Sequence, residues 1–111
     1  MVDLELSLNE QAALVETKNR LRAKFPVEEF IVFGSVARGD ATDESDLDLL
    51  VLTSRPMSHR EEHAMCDIVF DINLSHDTNV SILVTDKTAW ETGLLSILPI
   101  HEEVARDGIV V

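Results

Sequence analysis

Apolar positions recur along this chain with two different periods, and the switches between them predict alternating helices and strands. Ser7-Leu8-Asn9-Glu10 is a capping-box pattern, and Leu14, Lys18, Leu21 and Phe25 follow it at helical spacing. Pro26 closes that helix. Phe30-Ile31-Val32-Phe33 is a short continuous apolar run that stops at Gly34, the pattern of a buried strand. Polar residues from Arg38 to Ser45 predict a short helix or loop. Leu47-Asp48-Leu49-Leu50-Val51-Leu52 predicts a second strand, expected at the centre of a sheet and ended by Thr53 to Pro56. From Ser58 to about Ser75 the period is helical again, with Met65, Ile68, Val69 and Ile72 on one face and Glu62, Asp67 and Asp71 off it. Val80 to Val84 predicts a third strand, and Thr85 is placed to cap a helix carrying Trp90, Leu94, Leu95 and Leu98. Gly93 weakens that helix, Pro99 interrupts it, and a last short helix leads to Gly108 and the apolar tail Ile109-Val110-Val111. The order is that of an α/β fold with a short mixed β-sheet flanked by helices.

Length and composition narrow this. A chain of 111 residues is expected to form a single domain over 1–111, and with 45% apolar but 5% aromatic residues its core should be aliphatic. No apolar run approaches the roughly 20 residues that span a bilayer, and no signal pattern precedes the first helix, so a soluble cytoplasmic protein is expected. The lone Cys66 cannot form an internal disulfide and is expected to be a buried structural thiol. Net charge is −12, from 21 acidic and 9 basic residues. Such a surface repels nucleic acid, and it repels free ATP unless a metal ion or a local positive site intervenes. It attracts basic proteins, although taken alone acidity is more simply read as an aid to solubility.

Chemistry concentrates between residues 33 and 48. Gly34 at a strand end lets the backbone turn and a ligand approach without a Cβ in the way. Ser35 then opens a helical turn whose N–H groups and hydroxyl suit a phosphate oxygen. Because strand side chains alternate, Asp46 and Asp48 face one way and Leu47 and Leu49 the other. Two such carboxylates repel each other unless a cation lies between them, and carboxylates with few other ligands suit Mg²⁺ completed by water and phosphates. A phosphate cradle beside a metal holder is apparatus for phosphoryl or nucleotidyl transfer.

Gly34-Ser35-Val36-Ala37-Arg38-Gly39 followed by Ser45-Asp46-Leu47-Asp48-Leu49 resembles the signature of the polymerase-β-like nucleotidyltransferase superfamily, and the small size resembles its minimal, MNT-type branch. The resemblance implies that Gly34 and Ser35 hold the nucleotide phosphates and that Asp46 and Asp48 bind divalent metal and serve catalysis. Arg38 is a further candidate phosphate contact, since its guanidinium can reach round a one-turn helix. The resemblance also implies transfer of a nucleoside monophosphate, AMP from Mg²⁺–ATP, to a hydroxyl on a partner protein. That partner is expected to be a HEPN-type protein in a toxin–antitoxin pair, and self-association is left open. The family places a third carboxylate on the next strand, where this chain has Asn79-Val80-Ser81-Ile82-Leu83-Val84; Asp77 lies just before and Asp86 just after. Losing a positioned base costs roughly 10²–10⁴-fold in rate. A docking module that neutralises its partner without efficient turnover is therefore the alternative, and a small-molecule nucleotidyltransferase would need an acceptor pocket this length does not supply.

Other signals carry less. His59-Arg60-Glu61-Glu62-His63 matches a zinc-peptidase pattern but lacks a further ligand, so a solvated helix start is expected. Trp90 reads as core or interface filling, and His76 and His101 as helix-end residues.

Overall fold

The computed structural model describes residues 4–42 and 45–111. Helix α1 (Leu8–Lys24) starts where the capping box places it. The Ser7 hydroxyl accepts from the Glu10 N–H at 3.1 Å, and the Glu10 carboxylate accepts from the Ser7 N–H at 3.0 Å. It ends at Phe25, whose extended backbone leads into Pro26. Strand β1 (Val27–Phe33) starts three residues before the apolar run, with a register irregularity between Val27 and Glu29. The one-turn helix α2 (Gly34–Arg38) follows, so helix formation begins at Gly34 rather than in the polar stretch after Arg38. Strand β2 (Leu47–Thr53) leads to α3 (His59–His76), which begins with a second complete capping box between Ser58 and Glu61.

Strand β3 (Val80–Asp86) is longer than expected and absorbs Thr85, so the cap of α4 (Lys87–Thr92) is not Thr85 but Asp86, whose carboxylate accepts from the Ala89 N–H at 3.0 Å. The predicted long helix through Leu98 is broken at Gly93. A Cβ there would collide with the Ala89 backbone, and the chain continues as a 3₁₀ turn over Leu94–Ile97. Pro99 does not interrupt a helix but begins one, α5 (Pro99–Asp107), where its missing N–H costs nothing. The apolar tail forms β4 (Ile109–Val110) against β1.

The sheet order is β3-β2-β1-β4, with β1 antiparallel to β2 and β4, and β2 parallel to β3 across α3. The mixed sheet thus has β2 in its interior, as its unbroken apolar run requires. Leu47, Leu49 and Val51 face α1 and α3, packing with Leu14, Leu21, Met65 and Ile72. Leu50 and Leu52 face the opposite layer and pack with Phe33, Trp90 and Val104. Trp90 is buried core, with its ring centroid 4.6 Å from that of His101. Cys66 is exposed, contrary to expectation: it lies one residue past buried Met65 on α3, and that step of about 100° carries it off the core stripe. Among the described residues no helix is long and apolar enough to cross a membrane.

Candidate functional site

The β1–α2 turn and the start of β2 meet at one end of the sheet. Phe33, the last residue of β1, pairs with Asp48, the second of β2. That register sets the Asp48 side chain directly against Gly34. A Cβ at Gly34 would collide with an Asp48 carboxylate oxygen, and Asp48 Cγ would lie only 3.3 Å from it. Gly34 also adopts φ +75°, a left-handed backbone that L-residues avoid. Glycine is required here on both counts, to turn a strand straight into a helix and to leave space for a carboxylate. The first turn of α2 has no side-chain cap, and Ser35 is half-buried there. At the other end Gly39 ends the helix with φ +80°, its N–H and that of Asp40 donating to the Val36 and Ser35 carbonyls at 3.2 and 3.0 Å.

Electrostatics mark Asp48. Burial raises its carboxyl above the usual range, the charges of Asp46 and Glu103 raise it further, and the Arg38 guanidinium opposes them. Asp46 is exposed just before the strand, Asp48 partly buried within it. Three negative groups and one positive thus surround the turn, a field that a cation would relieve. Among the described residues no three His, Cys, Asp or Glu side chains are grouped to hold a metal ion. Two carboxylates with the remaining positions left to water and phosphate oxygens suit a hard divalent ion, so the residues present fit such an ion.

Glu103 is the participant that sequence reasoning missed. It projects from α5, and its Oε1 accepts from Arg38 Nη1 at 2.9 Å, while Arg38 Nε lies 3.5 Å from Asp40. Arg38 is therefore near the turn, as expected, but already held by carboxylates. The 65 residues between Arg38 and Glu103 hide this pairing from any local pattern.

The strand acids resolve differently. Asp48 is in register with Ser81, and Thr53 with Asp86. Asp86 is therefore about 16 Å along β3 from the Asp48 level and is occupied as a helix cap. Asp77, at the left-handed end of α3, lies nearer, in a polar depression with Thr42, Ser45 and Asn79. The position beside Asp48 is Ser81, because Val80-Ser81 and Leu47-Asp48 are the opening pairs of neighbouring parallel strands. His59 and His63 lie on the solvated start of α3, with His63 4.0 Å from Asp67; His76 bonds Glu16 at 2.9 Å near the end of that helix.

The sequence profile of the nucleotidyltransferase domain matches residues 14–100. The chain belongs to that family. Its members use a divalent metal ion, in keeping with the donor set above. The protein adenylyltransferase MntA of Thermococcus cleftensis is 47% identical over 47 residues, which are 41% of this chain and 48% of that protein. A Methanocaldococcus jannaschii protein described as a protein adenylyltransferase is 45% identical over 47 residues, 40% of this chain and 47% of its own. The chain spans about half the length of these relatives. A solved structure described as a minimal nucleotidyltransferase superposes with a TM-score of 0.59 at 29% identity, covering 95% of this chain and 96% of that one. A crystal structure of an MntA toxin–antitoxin complex superposes with a TM-score of 0.60 at 19% identity, covering 96% of this chain and 72% of that one; it shows a shared fold.

Proposed function

We propose that this nucleotidyltransferase moves AMP from Mg²⁺–ATP to a hydroxyl on a partner protein, as the antitoxin of a HEPN/MNT toxin–antitoxin pair in the cytoplasm. One observation supports the chemistry: the Asp48 carboxylate lies against Gly34, the first residue of the α2 turn, so the proposed metal ligand and the proposed phosphate turn adjoin. In this reading Gly34 and Ser35 receive the phosphates, Asp46 and Asp48 hold Mg²⁺, and Arg38 adds a phosphate contact. The metal ion supplies charge neutralisation of the phosphate oxygens when bound. The acceptor oxygen bonds to the α-phosphorus, the bond to the β-phosphate oxygen breaks and pyrophosphate leaves, while the hydroxyl proton passes to water. The relatives support the acceptor: MntA is a protein adenylyltransferase, and a Shewanella oneidensis HEPN toxin has been solved AMPylated in complex with an MNT antitoxin.

Ser81 beside Asp48 favours a second reading, in which partner docking neutralises the toxin and transfer is slow or absent. Incubation with α-labelled ATP, Mg²⁺ and a candidate HEPN-domain partner separates the two. Label on the partner, lost with Asp46→Asn/Asp48→Asn, is the expected result. Toxin neutralised equally by that variant, with no label transferred by the parent protein, would overturn the transferase reading in favour of docking.

A further inference from the structure

Among the described residues the outer edge of the sheet at β3 has no partner strand, since the order ends there. Proteins protect such edges with proline, lysine, bulges or covering elements. This one has none of the first three: Val80-Ser81-Ile82-Leu83-Val84-Thr85-Asp86 pairs regularly with β2 over all seven residues. Ile82, Leu83 and Val84 are only partly buried although apolar. Beside this edge, α3 turns an apolar stripe to solvent. Phe70 is 66% and Leu74 69% exposed, and Cys66 and Phe70 join Val80 and Ile82 in lining one groove. An unguarded edge and a large apolar stripe on adjoining elements are the two halves of a strand-addition surface.

We propose that this edge docks the acceptor protein itself: an extended segment of a basic partner adds alongside β3 and lays apolar side chains over Phe70 and Leu74. The occupant follows from charge. Asp67, exposed, borders the stripe, and Asp71 beside it is exposed although paired with Arg20 at 2.9 Å, on a chain of net charge −12. A second copy would bring acid against acid, whereas a basic segment meets its complement. Geometry then links docking to transfer. Ser81 is the register neighbour of Asp48, so a segment one strand beyond β3 lies about 10 Å from the Asp48 backbone, within reach of a long hydroxyl-bearing side chain. This inference rests on the proposed transfer to a partner protein.

Cys66 is the only cysteine of the chain and lines the groove, so it reports occupancy without engineering. The chain is co-expressed and co-purified with a candidate HEPN-domain protein from the same source, and Cys66 alkylation is timed for the free chain and for the complex. The expected result is alkylation about tenfold or more slower in the complex. Phe70→Ser/Leu74→Ser is expected to weaken the complex by about tenfold or more while melting temperature and Mg²⁺–nucleotide binding stay at parental values. A complex in which Cys66 reacts at the free rate and the double variant binds normally would overturn the docking surface and leave the transfer reading standing. Failure to form any complex would overturn the partner reading, and the docking surface with it.

Discussion

Replacing Gly34 by alanine, with Gly39→Ala as its twin, isolates the contact on which the site is built. Both glycines have left-handed backbones, φ +75° and +80°, so alanine at either position meets a similar conformational cost of about 1 kcal/mol. Their surroundings differ. Among the described residues nothing lies within 4 Å of a Cβ added at Gly39, whereas at Gly34 that atom collides with the Asp48 carboxylate, with Cγ at 3.3 Å and Cβ at 3.5 Å behind it. The Asp48 side chain must rotate away, adding roughly 1–2 kcal/mol of overpacking. Gly39→Ala should therefore cost about 1 kcal/mol and Gly34→Ala about 2–3, and at this chain length each kcal/mol lowers the melting temperature by about 4 °C. The functional contrast should be larger, because only Gly34→Ala displaces the carboxylate proposed to hold the metal ion. Thermal melts and calorimetric titration with Mg²⁺ and a non-hydrolysable ATP analogue measure both effects. Equal losses of nucleotide affinity in the two variants would refute the idea that Gly34 makes room for Asp48.

Three further outcomes follow from individual side chains. Burial and neighbouring acids make ionised Asp48 costly, so Asp48→Asn should raise the metal-free melting temperature at neutral pH while eliminating metal-dependent nucleotide binding; an unchanged or lowered melting temperature contradicts the electrostatic reading. Ser81→Asp places an acid beside Asp48, and a rise in the transfer rate of roughly tenfold or more is expected, with no rise indicating that this strand position is remote from the reacting oxygens. Arg55 and the Ser58 backbone hold Glu61 down at about 2. A depressed carboxyl stabilises the fold above its unfolded value near 4.5 and loses that contribution as pH falls towards 2. The stability gap between the parent and Glu61→Gln should therefore be present at pH 6 and close over that acid window; a gap unaltered by acid would place the effect elsewhere.

Local features of the fold were legible because local physics sets them. The capping boxes at Ser7 and Ser58 mark helix starts through side-chain hydrogen bonds three residues long, and both are formed. The unbroken apolar run from Leu49 to Leu52 announced a strand buried on two faces. The elements read less well are those decided by tertiary contacts. Thr85 joins β3 because Leu52 supplies a ladder partner, and the tail at Ile109 becomes a strand only because β1 has an open edge. In the site, Gly34, Ser35, Asp46 and Asp48 lie within fifteen residues and carry a recognisable spacing. Glu103 and the Asp48–Ser81 register arise from α5 and β3 folding back, and neither leaves a periodic trace in the chain. Cys66 shows the reverse case, where a residue type usually buried is carried outward by one step of helical rotation.

The central claim is that the Gly34–Ser35 turn and the Asp46–Asp48 pair form one metal-dependent nucleotide site. Calorimetric titration of the chain with a non-hydrolysable ATP analogue, in Mg²⁺ and then in EDTA, tests it most directly. Saturable binding of one nucleotide is predicted in Mg²⁺, weakened about a hundredfold or more by EDTA and by Asp46→Asn/Asp48→Asn alike. Binding of equal strength in EDTA, or retained by that variant, would contradict it.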